Sequence, residues 1–102
     1  MAISDVQLIR DRYQVFDDAG KKGKETIASN LGELCGFGSD FMIFEKNSHY
    51  VTYDESFTRI KEALTSNLGD FKNASGSSIN FIKKGRIVTY DKRLNMISDR
   101  LI

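Results

Sequence analysis

Ile79-Asn80-Phe81-Ile82-Lys83-Lys84-Gly85-Arg86-Ile87-Val88-Thr89-Tyr90-Asp91 consists of two β-rich runs around a short turn that contains glycine. That is the pattern of a β-hairpin. With Lys84-Gly85 as a two-residue turn, Ile79, Phe81, Val88 and Tyr90 fall on one face. A strand alternates its side chains, so such a face must be covered. The stretch has a counterpart upstream. Val51-Thr52-Tyr53-Asp54 recurs as Val88-Thr89-Tyr90-Asp91, 37 residues later, and Ser29-Asn30-Leu31-Gly32 recurs as Ser66-Asn67-Leu68-Gly69 at the same offset. In the upstream copy Asn47-Ser48 takes the turn, and Met42, Phe44, Val51 and Tyr53 share the apolar face.

The repeat extends beyond these tetrapeptides. Residues 13–32 match residues 50–69 at eight of twenty positions, and 44–54 match 81–91 at six of eleven. Ordinary composition gives roughly one match in sixteen. The chain therefore reads as tandem copies over about 4–40, 41–77 and 78–102, the last one short.

A helix is expected after each hairpin. Phe57, Ile60, Leu64 and Leu68 stand at helical spacing, and Leu94, Ile97 and Leu101 are their counterparts. Asp54 and Asp91 sit between strand and helix, where a carboxylate accepts from the first-turn N–H groups. Gly69 and Gly32 suit helix C-terminal stops. In the first copy the repeat register favours a hairpin across Arg10-Asp11. The spacing of Val6, Ile9, Tyr13 and Phe16, with a capping box from Ser4 to Gln7, suits a helix instead. The hairpin is the reading adopted, with the helix as its alternative. Gly20 and Gly23 replace Phe57 and Ile60, so the first linking helix is expected to begin near Lys24.

The expected fold is α+β: tandem ~37-residue β-hairpin–helix repeats forming an antiparallel sheet with helices packed on one face. The chain has 102 residues, the size of one small domain. Its hydrophobic content of 40% and charged content of 28% suit a globular chain rather than a disordered one. A single cysteine, Cys35, excludes an intrachain disulfide and suits a reducing compartment. It reads as a small buried hydrophobe. No signal-peptide core precedes Arg12 and no apolar run could span a bilayer. The expected location is cytoplasmic, without membrane contact.

The chemistry is sparse. Gly20-Lys21-Lys22-Gly23-Lys24-Glu25 resembles a phosphate loop, but Asp18 stands where the first glycine belongs and Glu25 where Ser or Thr belongs. It reads as a solvated basic loop. His49 has no second ligand at metal spacing. Asp17, Asp54 and Asp91 could gather a cation only if the repeats converged, and capping already accounts for them. No cofactor, metal or catalytic set is expected. Lys46, His49, Lys83, Lys84 and Arg86 lie at hairpin tips near the strand tyrosines, so they are the candidate contacts for a partner or a nucleic acid. The net charge of +1 counts against a nucleic-acid role. The leading expectation is a small non-enzymatic binding or inhibitory protein that recognises a protein partner through its surface, with self-association as a homodimer left open. The alternative is a nucleic-acid-binding module.

Overall fold

The computed structural model describes residues 3–101. It is almost entirely β. In chain order the elements are β1 (Ile3–Ile9), β2 (Arg12–Asp17), β3 (Lys22–Ile27), α1 (Ala28–Leu31), β4 (Glu33–Phe37), β5 (Phe41–Lys46), β6 (His49–Asp54), β7 (Arg59–Leu64), α2 (Thr65–Leu68), β8 (Asp70–Ser75), β9 (Ser78–Lys83), β10 (Arg86–Tyr90) and β11 (Met96–Leu101). They form three antiparallel meanders. Sheet 1 is β1-β2-β3, sheet 2 is β4-β5-β6-β7 and sheet 3 is β8-β9-β10-β11. Among the described residues no helix is long and apolar enough to cross a membrane.

This corrects the α+β expectation and its helices packed on one sheet face. The only helices among the described residues, α1 and α2, have four residues each and join one sheet to the next. The supposed helical stripe is assembled from unrelated pieces. Phe57 lies in a turn, Ile60 and Leu64 in β7, and Leu68 in α2. Its C-terminal counterpart is split likewise, with Leu94 in a turn and Ile97 and Leu101 in β11. Residues 22–27, the expected start of the first helix, are β3. Pairing with a neighbouring strand outweighs the helical preference of runs such as Arg59-Ile60-Lys61-Glu62-Ala63-Leu64.

The turns explain why the chain comes back as a strand. Oδ1 of Asp54 accepts from the N–H of Ser56 at 2.8 Å and of Thr58 at 2.9 Å. Asp17 and Asp91 do the same two and four residues ahead. In each case the residue three after the Asp donates its N–H to the Asp carbonyl and has positive φ: Gly20, Phe57 and Leu94. This is a three-residue hairpin loop, a type I turn followed by a left-handed residue. The carboxylate does the acceptor work foreseen for it, but on a β-turn rather than on a helix.

The hairpins stand as read. Lys46 pairs with His49 around Asn47-Ser48, Lys83 with Arg86 around Lys84-Gly85, and Ile9 with Arg12 around Arg10-Asp11. The first copy is thus a hairpin and not a helix. Asn47, Ser48, Lys84 and Gly85 all have positive φ, as a two-residue turn requires.

The sheets stack face to face. One core holds Val6, Tyr13 and Val15 of sheet 1 against Met42 and Phe44 of sheet 2. A second holds Phe41, Ile43 and Tyr50 of sheet 2 against Ile79 and Phe81 of sheet 3. Sheet 2 is therefore buried on both faces, which is why Phe41-Met42-Ile43-Phe44 is apolar without alternation. The aromatic packing repeats with the sequence. Tyr13 and Tyr53 flank Phe44 with ring centroids 5.0 and 5.6 Å away, and Tyr50 and Tyr90 flank Phe81 at 4.9 and 5.6 Å. On the outward face of sheet 1, Asp5, Gln7 and Gln14 stand where sheet 2 has Met42, Phe44 and Val51. On that of sheet 3, Ser78 and Asn80 replace Phe41 and Ile43. The outward faces of sheets 1 and 3 thus carry polar side chains where sheet 2 carries apolar ones.

Chain direction through each sheet is constant. β4 and β8 begin sheets 2 and 3 and come close to each other, while β7 and β11 form the far edges. The sheets fan outward from the side of β4 and β8, like adjacent blades of a propeller.

Candidate functional site

The inner side of the fan holds a concavity of about 550 Å³ between β4 and β8, with Ile3 of β1 at its border. Two backbone features shape it. Gly36 lies under the Phe71 ring, and a Cβ there would stand 2.8 Å from the ring carbon Cζ. The turns after β4 and β8 are joined by a hydrogen bond from Ser39 N–H to Gly76 C=O at 2.8 Å. The lining combines the rings of Phe37 and Phe71, the Cys35 thiol and Ala74 with the exposed amine of Lys72 and the amide of Asn73. Both inner strands are sheet edges, so half of their backbone groups lack a ladder partner on that side.

Cys35 is half-buried in this cleft. Burial first, then the Glu45 and Glu33 carboxylates, pushes its thiol up to about 11. A thiol so disposed stays protonated near neutrality and is a poor nucleophile. No group of three His, Cys, Asp or Glu side chains able to hold a metal occurs among the described residues. The cleft offers apolar contact, backbone hydrogen bonds and one cation.

The tip residues singled out in the sequence lie on the β5–β6 and β9–β10 hairpins, away from this cleft. Most are engaged within the chain. Lys46 Nζ donates to the carbonyls of Ser29 at 2.8 Å and Asn30 at 3.3 Å. Lys83 Nζ donates to that of Asn67 at 3.1 Å. Each lysine thus covers the end of the short helix that leads into its own sheet, where helix carbonyls lack intrahelical partners. His49 Nδ1 lies 2.9 Å from the Asn47 carbonyl. Arg86 Nε is 2.6 Å from Asp99 Oδ1. Lys84 is exposed at its turn. Asp17, Asp54 and Asp91 each serve their own turn and do not converge.

The inner cleft was not foreseen from the sequence. Its signal was present in the small residues Gly36 and Gly38 on a run that otherwise reads as β, where a glycine marks close approach of another segment.

Neither family models, curated proteins nor solved structures give a match to this chain.

Proposed function

We propose that this chain is a non-enzymatic recognition module that binds a protein partner through its surface, along the inner cleft between β4 and β8. The observation that carries this reading is the character of that cleft. It combines two aromatic rings, small side chains and unpaired strand edges, the groups by which protein surfaces bind extended or apolar segments. The hairpin tips support the nucleic-acid alternative less well, because Lys46, Lys83 and Arg86 already hold partners within the chain. Their charge remains, but its geometry serves the fold.

A site-specific photo-crosslinker tests the reading. Placed at Ala74 in the cleft, it should capture a defined protein from the native host, while the same group at Ser98 on the far edge should not. In parallel, labelled single-stranded RNA and DNA are titrated in ~150 mM salt, where exposed charges are screened beyond about 8 Å. No binding tighter than about 10⁻⁴ M is expected. Micromolar nucleic-acid binding that disappears when Lys83, Lys84 and Arg86 are together replaced by Ser would overturn the reading in favour of the alternative.

A further inference from the structure

The net charge of +1 conceals a separation of charge along the strand axis. The three hairpin tips and the connectors α1 and α2 lie at one end of the stack. Lys46 of the second tip reaches carbonyls of α1, and Lys83 of the third reaches the Asn67 carbonyl of α2. The Ala28 and Thr65 N–H groups donate to the Asp11 and Ser48 carbonyls at 2.7 and 2.9 Å. The tips 9–12, 46–49 and 83–86 with the connecting residues 27–32 and 64–69 carry six Lys or Arg side chains and one acid, Asp11. At the opposite end, the Asp turns 17–21, 54–58 and 91–95 with the loops 38–40 and 76–77 carry six acids and three cations. Pairing within the chain leaves most of the basic charge in place. Arg86 is paired with Asp99, and Arg12 lies 3.8 Å from Glu25. Lys46 and Lys83 donate to neutral carbonyls, and Arg10 and Lys84 are exposed at their turns.

The same end carries an exposed aliphatic residue at one position of every copy. Ile27, Leu64 and Leu101 follow one another at the offset of 37 and are 40%, 45% and 73% exposed. In the strand pairing they stand opposite Arg12, His49 and Arg86. Leu64 shares the row of Lys46 and His49, on the face of sheet 2 that meets sheet 1. It is exposed with sheet 1 in place and with α2 and sheet 3 following it, so its exposure belongs to the position. One exposed leucine needs no explanation. An aliphatic residue beside a nitrogen base in each copy makes a surface that is apolar and cationic at once.

We propose that the hairpin-tip end docks on an anionic lipid surface, with Ile27, Leu64 and Leu101 entering the headgroup region and the tip cations meeting lipid phosphates and carboxylates. Charge complementarity selects an anionic surface. The aliphatic side chains select lipid over nucleic acid, which offers phosphates but no hydrocarbon. The acidic turn end faces away from the surface, so one orientation is favoured. Such a contact lies on the membrane and requires no spanning helix. The tips lie away from the cleft between β4 and β8, so this contact is independent of the protein recognition proposed there.

The full chain is sedimented with phosphatidylcholine vesicles, with and without phosphatidylserine, in ~150 mM salt. Binding is expected only with phosphatidylserine and should weaken as salt rises. Arg10→Ser with Lys84→Ser should weaken it about twentyfold, since each cation contributes about fivefold at such a surface. Ile27→Ser with Leu64→Ser should weaken it roughly tenfold, by removing inserted hydrocarbon. All four side chains are exposed, so the unfolding midpoints should hold. An environment-sensitive dye reads the orientation in a chain whose tip cations and aliphatics are intact. With Cys35→Ala, dye on Asn47→Cys should brighten on vesicles and dye on Ser77→Cys should not. No binding to phosphatidylserine vesicles would overturn the proposal, as would equal binding to phosphatidylcholine alone or equal brightening at both dye positions. Binding indifferent to Ile27→Ser with Leu64→Ser would also overturn it, leaving only charge attraction. Tighter binding to single-stranded RNA than to vesicles, lost with Arg10→Ser and Lys84→Ser, would overturn it in favour of a nucleic acid at the same end.

Discussion

The Tyr50 hydroxyl donates to the Gly69 carbonyl at 2.9 Å, across the junction between sheets 2 and 3. The same hydroxyl accepts the Phe71 N–H at 3.1 Å. One junction earlier Tyr13 does both for Gly32 and Leu34, at 2.9 and 3.2 Å. A tyrosine of each sheet thus pins the segment that starts the next one. In sheet 3 the corresponding residue is Ile87, and no further sheet follows it among the described residues.

Tyr50→Phe should therefore destabilise the fold by about 1–2 kcal/mol, because it strands a partly buried carbonyl and N–H together. Urea unfolding of Tyr50→Phe and Tyr13→Phe should show matching losses. Tyr90→Phe, at a position with no such junction to hold, should leave the midpoint within error.

Asp54→Ala and Asp91→Ala should each cost about 1 kcal/mol, as loss of an Asx acceptor does at a helix cap. The site of the damage distinguishes the turn from a cap. Hydrogen exchange should quicken at Ser56 and Thr58, or at Arg93 and Asn95. Asn in place of either Asp retains an acceptor oxygen and should recover most of the loss.

Gly20 and Gly69 both have positive φ, but they should differ sharply toward alanine. At Gly20 a Cβ would meet nothing within 4 Å, so only the backbone conformation costs, about 1 kcal/mol. At Gly69 the Cβ would lie 2.5 Å from the backbone oxygen of Ile82. That clash cannot relax by a rotamer change, so Gly69→Ala should cost several-fold more in the same denaturation assay.

Cys35 gives a prediction in pH. Its thiol is pushed up to about 11, so the folded chain should be alkylated at pH 8 at least roughly tenfold more slowly than the unfolded chain. The folded state holds this proton more tightly than the unfolded state. Stability should therefore fall as pH rises from the ordinary thiol value of 9.0 toward about 11. Cys35→Ser should flatten that slope, as read from unfolding midpoints across the range.

The hairpins, their turns and the period of 37 were legible in the sequence because they depend on neighbours along the chain. Two-residue turns need positive φ, and strand faces need alternation; both are local requirements. The strands β3, β7 and β11 were not legible. They form sheet edges, where charged residues such as Lys22, Lys24, Arg59 and Lys61 are tolerated and even protective, so their composition mimics an exposed helix. The Asp turns carried too little to decide the matter, since a carboxylate accepting N–H groups ahead of it serves a helix cap and a β-turn alike.

The sequence by itself determined the repeating unit, the hairpin registers and one apolar face of each hairpin, that of Phe44 and that of Phe81. Only the tertiary structure decided that the chain forms three stacked sheets, with the last strand of each copy, β4 or β8, opening the next sheet, that sheet 2 is buried on both faces, and that small residues of β4 open a cleft beside β8. The physical reason is range. Turn chemistry and side-chain alternation act over a few residues, whereas the choice between helix and edge strand rests on hydrogen bonds and burial supplied by segments far along the chain.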